Sequence, residues 1–149
     1  MEVENKLKAM GLELPSAGTS PPGRAGAVKV GNLLFVGGHT PGAEFRGKLG
    51  ADITVEHGYE GAKQAMLACL ADVKAAIGDL DKVKQVAKLL CMVNCLPDFG
   101  QQPQVANGAT DLLHQLYGDA GAHARSAVGM GSLPNQACIE IEMIIQVED

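Results

Sequence analysis

The run Ile139-Glu140-Ile141-Glu142-Met143-Ile144-Ile145 constrains the fold more than any other segment of this chain. A period of two puts Ile139, Ile141, Met143 and Ile145 on one side of an extended strand. Cys138, Glu140, Glu142 and Gln146 fall on the other. A strand with one greasy and one acidic face belongs in a sheet covered on one side, and the apolar set is expected to face helices.

Those helices are legible upstream. From Thr54 to Ile77 the residues Tyr59, Ala62, Met66, Cys69, Leu70, Val73 and Ile77 recur at helical spacing, with Thr54 as N-cap, Glu56 in the first turn and Gly78 as a stop. Val105, Leu112, Leu113 and Leu116 predict a second helix over 105–117, closed by Gly118. Residues 25–30 and 33–36 read as strands joined by a tight turn at Gly31-Asn32. Gly37-Gly38-His39-Thr40-Pro41-Gly42 then opens a polar loop reaching to about Asp52, whose glycines allow close backbone approach to a ligand. The apolar run 86–96 reads as a buried strand, and further strands are expected at 123–131 and 137–147. The order β-β-α-β-α-β-β predicts an α+β fold: a mixed sheet with both helices on one face, and the other face meeting water or another subunit.

The 149 residues suit one domain spanning 1–149. Residues 1–23 form an N-terminal arm: a short amphipathic helix over 2–10, then a Pro/Gly/Ser stretch that cannot continue it. A net charge of -5 with no basic stripe, and 3% aromatic residues, argue against general nucleic-acid binding. The N-terminus is too charged for a signal peptide, and no window approaches the ~18 apolar residues of a membrane span, so no membrane association is expected and the reading is cytoplasmic. Cys69, Cys91, Cys95 and Cys138 sit singly in apolar segments, as reduced, buried thiols do.

The chemistry concentrates at the C-terminal end. If 123–131 pairs with 137–147 and like faces match, Arg125, Ala127 and Gly129 share the polar face with Glu140 and Glu142, while Ser126, Val128 and Met130 join the core. Arg125 must then lie opposite an even-numbered residue such as Glu140 or Glu142. A guanidinium suits a carboxylate ligand, and acids beside it can position a water. A solvated sheet face and a structural salt bridge are the alternatives that these residues leave open. No metal spacing is present: on a strand, Cys91 and Cys95 would lie about 13 Å apart. The four histidines fall in four different elements, His39 being the leading candidate for catalysis.

Arg125-Ser126, Leu133-Pro134 and Ile139-Glu140-Ile141-Glu142, matched without a gap, together with Gly31-Asn32 and the strand ending Gly37-Gly38-His39-Thr40-Pro41, resemble the RidA/YjgF family of reactive-intermediate deaminases over about residues 24–147. The resemblance implies a chorismate-mutase-like fold and a homotrimer whose sheets form a central barrel, with ligand sites in the clefts between subunits. It implies hydrolysis of 2-aminoacrylate-derived enamines or imines to 2-oxo acids and ammonia, with no metal or cofactor. Arg125 matches the arginine that grips the substrate carboxylate, Glu140 the acid associated with the attacking water, and Gly38 a backbone position at the pocket. The chain departs from many active members at Arg24, where they carry a tyrosine, at Gly37 and His39, where they carry serine and glutamine, and at Ala127, where a cysteine is frequent. Gln101 to Asn107 also reads as a longer connection into the second helix. Arg24 would add a second cation near the cleft and favour a substrate with another anionic group. A non-catalytic trimer that binds or senses small carboxylates is the rival reading. Ribonuclease or translation-inhibitor activity, suggested by older names in the family, fits the acidic composition less well.

Overall fold

The computed structural model describes residues 2–149. Three helices, α1 (Glu2–Ala9), α2 (Val55–Ile77) and α3 (Gln102–Tyr117), accompany five strands: β1 (Ala27–Val30), β2 (Leu33–His39), β3 (Val83–Asn94), β4 (Ala124–Met130) and β5 (Ile139–Val147). The strands form one sheet in the order β1-β2-β5-β3-β4, antiparallel except for the parallel pair β3 and β4. The α+β reading with a mixed sheet therefore holds.

Local chemistry sets the helix ends. The Thr54 hydroxyl accepts the His57 N–H at 3.1 Å, and Gly78 closes α2 at φ 86°. Met66, Cys69, Leu70 and Val73 of α2 and Val105, Leu112, Leu113 and Leu116 of α3 are buried, the faces that their spacing selects. The helix α3 begins three residues before its first apolar contact, so the supposed longer connection up to Asn107 is largely helix. Gly108 lets α3 lie close on α2: a Cβ there would collide with the Tyr59 carbonyl. Ahead of the domain, α1 buries Val3 and Leu7, and the Glu2 and Val3 N–H groups donate to the Asp81 carboxylate at 2.7 and 2.9 Å.

The hairpin turn forms as read, with Val30 opposite Leu33 and Gly31 at φ 61°. The strand β2, however, runs on to His39 instead of ending at Val36. A register shift between Val36 and His39 carries the chain through Gly37-Gly38 and leaves His39 opposite Ile141.

The pairing of the last two strands differs from the expectation. β4 and β5 are not neighbours, because β3 lies between them. Helix α3 is a crossover that sets β4 parallel to β3, and residues 131–138 then carry the chain back across β3 to β5. Arg125 pairs with Leu89, which in turn pairs with Met143, so Arg125 lies on the helix-covered side. Glu140 and Glu142 pair with Met92 and Leu90 on the open side. Ser126, Val128 and Met130 share that open side and are not core; Val128 is 40% and Met130 36% exposed. Alternation fixed the two faces of β4 but not which face met the helices. Ala127 and Gly129, small enough to lie under α3, are the residues that turn inward.

Candidate functional site

Arg125 is tied down by neutral groups. Its Nη1 donates to Asn107 Oδ1 at 2.8 Å and to Thr110 Oγ1 at 2.9 Å, both one turn apart on α3. His123 continues the chain: its Nδ1 lies 2.7 Å from the Gly121 carbonyl, which can only accept. The neutral ring therefore carries its proton on Nδ1, leaving Nε2 to accept from the Thr110 hydroxyl at 3.0 Å. Among the described residues no carboxylate lies within ion-pair distance of Arg125. The guanidinium is half-buried and keeps an uncompensated charge. Beneath it, burial pushes the Cys91 thiol up to about 11, with the Arg125 charge pulling the other way. Ala127 pairs with Cys91 and packs on the core.

The second cluster surrounds the end of β2. The Glu140 carboxylate rests on Gly38, where a Cβ would collide with it. On the other side of the strand, His39 Nε2 lies 2.7 Å from Asp72 Oδ2 of α2, with side chains 26% and 11% exposed. The Asp72 carboxylate fits there because Gly26 has no side chain. A cavity of about 380 Å³ opens beside this pair, lined by Arg24, Gly26, Gly37, Gly38, His39 and Asp72, with Thr19 and Ser20 of the arm. Glu142 is exposed on the open face, away from the cavity lining.

One chain thus gathers Gly38, His39, Arg24 and Glu140 around the end of β2 and holds Arg125 with Ala127 elsewhere. Arg125 and Glu140 stand on opposite faces, two strands and three residues apart, or about 14 Å of sheet. The expectation that they share a face is overturned by the interposed β3. Asp72, Asn107 and Thr110 are the polar residues that reading the sequence missed. Asp72 carried a signal, a carboxylate between Cys69 and Val73 beside the apolar stripe of α2, and Asn107 and Thr110 carried another as a polar pair at i, i+3.

A larger cavity of about 660 Å³ lies at the opposite end of β4, lined by Lys48, Cys95, Gln102 and Met130 among others. Lys48 Nζ is held there by Asn94 Oδ1 at 2.7 Å and by the Gly131 carbonyl, which fastens the loop before α2 to the sheet. All four cysteines are free and buried. Among the described residues no helix is long and apolar enough to cross a membrane.

The profile of the YjgF/chorismate mutase-like endoribonuclease family matches residues 4–146. The chain is 38% identical to Protein TCP17 of Trypanosoma cruzi over 152 residues, which is 99% of this chain and 95% of that protein. The crystal structure of Atu1372 from Agrobacterium tumefaciens, described as of unknown function, superposes with a TM-score of 0.91 at 38% identity, over 98% of this chain and 92% of that one. A crystal structure from Shewanella oneidensis, described as an endoribonuclease, superposes with a TM-score of 0.92 at 30% identity, over 99% and 100%.

Proposed function

The chain belongs to the YjgF/chorismate mutase-like family, and on that premise we propose that it hydrolyses small 2-imino acids to 2-oxo acids and ammonia, in clefts between the subunits of a homotrimer. The observation that carries this reading is the uncompensated Arg125. Asn107 and Thr110 occupy Nη1 alone, so the remaining donors of the fork are suited to a substrate carboxylate. A purely structural arginine in a half-buried setting would be expected to hold an acid.

The same geometry supports a second copy. The open face of the sheet exposes Val28, Val30, Phe35 and Val128, apolar area that is costly to leave in water. Covering that face with further copies supports a cleft in which Arg125 of one subunit approaches Gly38 and Glu140 of another. There Arg125 would hold the carboxylate while Glu140 aims and deprotonates a water at the electrophilic iminium carbon. Positioning supplies much of what such a reaction needs.

The test generates 2-aminoacrylate in place with a serine dehydratase and follows 2-oxo acid release. Wild type is expected to accelerate release, with Arg125→Ala lowering kcat/KM by about 100-fold or more and Glu140→Gln lowering kcat by about 100-fold. Wild-type rates equal to those without the protein would overturn the reading.

A further inference from the structure

The relay at Arg125 and the carboxylate at Glu140 leave one step of an imine hydrolysis without an owner: protonation of the departing nitrogen. Water addition converts the iminium nitrogen into a neutral amine, and C–N cleavage is slow until that amine is protonated. We propose, resting on the deaminase reading, that His39 performs this transfer as a catalytic acid and that Asp72 is its positioning residue.

Asp72 fixes the tautomer of His39. A carboxylate only accepts, so the 2.7 Å contact places a proton on His39 Nε2 in both charge states. Nδ1 is then the nitrogen that exchanges its proton, and among the described residues it has no hydrogen-bond partner. The ring lines the 380 Å³ cavity beside Gly37 and Gly38 and remains 26% exposed, while Asp72 is nearly covered. A buried orienting acid behind a partly open imidazole is the arrangement that fixes a tautomer for proton transfer. The charged groups that share the cavity lining with the ring are Asp72 from α2 and Arg24 from the arm, while Glu140 of β5 reaches Gly38 from the opposite side of the strand. Water delivery and nitrogen departure can thus be served from the two sides of one glycine pair.

The step balances. Glu140 takes a proton from water as the oxygen bonds to the iminium carbon, and the C=N π pair moves onto nitrogen. The imidazolium Nδ1–H then protonates that amine. The C–N bond breaks with its pair on nitrogen, the hydroxyl oxygen forms C=O, and its proton returns to Nδ1. Ammonia leaves as ammonium with the proton held by Glu140.

Wild type, His39→Gln, Asp72→Asn and the double variant are compared in the dehydratase-coupled assay with 2-aminoacrylate, after thermal melts confirm that each folds. His39→Gln is expected to lower kcat about 100-fold with KM changed less than about 3-fold. Asp72→Asn offers an amide donor to Nε2, which moves the ring proton to Nδ1; kcat should fall about as far, and the double variant no further. Nitrogen-15 NMR of the neutral ring provides a readout independent of turnover: Nε2–H in wild type, Nδ1–H in Asp72→Asn. Wild type faster than the uncatalysed reaction, with His39→Gln retaining its kcat within about 2-fold, would overturn the dyad and leave the deaminase reading standing. Wild type at the uncatalysed rate would remove both, and a wild-type Nδ1–H tautomer would overturn the dyad alone.

Discussion

The outer strand β4 and the end of β2 hold charge in opposite ways. At β4 a lone cation is fastened by an amide and a hydroxyl, with its charge left for something else to neutralise. At the end of β2 one carboxylate, Glu140, rests on Gly38, and a second, Asp72, lies against Gly26 and is already committed to an imidazole. On the proposed function the first region holds the substrate's anion and the second moves protons, so each needs the other. Their separation across two faces of one sheet is what makes a second copy part of the proposed site.

The sharpest way to break that comparison is subunit mixing. Arg125→Ala and Glu140→Gln are each expected to be nearly inactive, but co-refolded in equal amounts they should recover about a quarter of wild-type activity if every site draws one residue from each of two subunits in a symmetric ring. No recovery, with mixed trimers shown to form by mass spectrometry, would mean that the two residues do not meet across subunits.

A smaller effect is expected at the proton-moving end. In Gly38→Ala the new Cβ displaces only the tip of the Glu140 side chain, so melting temperature should change little while kcat falls about 10- to 100-fold from the misplaced carboxylate. Unchanged kcat would detach Glu140 from the chemistry. The smallest effect belongs to the anion-holding end: Asn107→Ala removes one of the two tethers on Arg125 and should raise KM about 10-fold with kcat nearly constant. A fall in kcat at constant KM would show that Arg125 orients the reacting atoms instead of binding the substrate.

Parts of this arrangement were legible in the residues. Helix α2 was readable at both ends because its stop and start signals act on the nearest backbone groups, as Thr54 does on His57. The two faces of β5 were readable because alternation is a property of the strand itself. The same logic misplaced β4. Val128 and Met130 are apolar and look like core, yet they face the open side, whereas Arg125 reaches α3 at the margin of the helix layer. The end of β2 was misread because Gly37-Gly38 resembles a loop, while the register shift that keeps it in the sheet depends on β5.

The sequence by itself determined the order of the elements, the caps of α2, and Arg125, Glu140, Gly38 and His39 as the residues to watch, because propensity, periodicity and charge act over a few neighbours. Only the tertiary structure decided that β3 separates β4 from β5, that Arg125 answers to Asn107 and Thr110, and that His39 meets Asp72 from 33 positions away. Strand order and contacts of that kind depend on which long-range pairing buries the most apolar surface, and no local pattern in the chain encodes that sum.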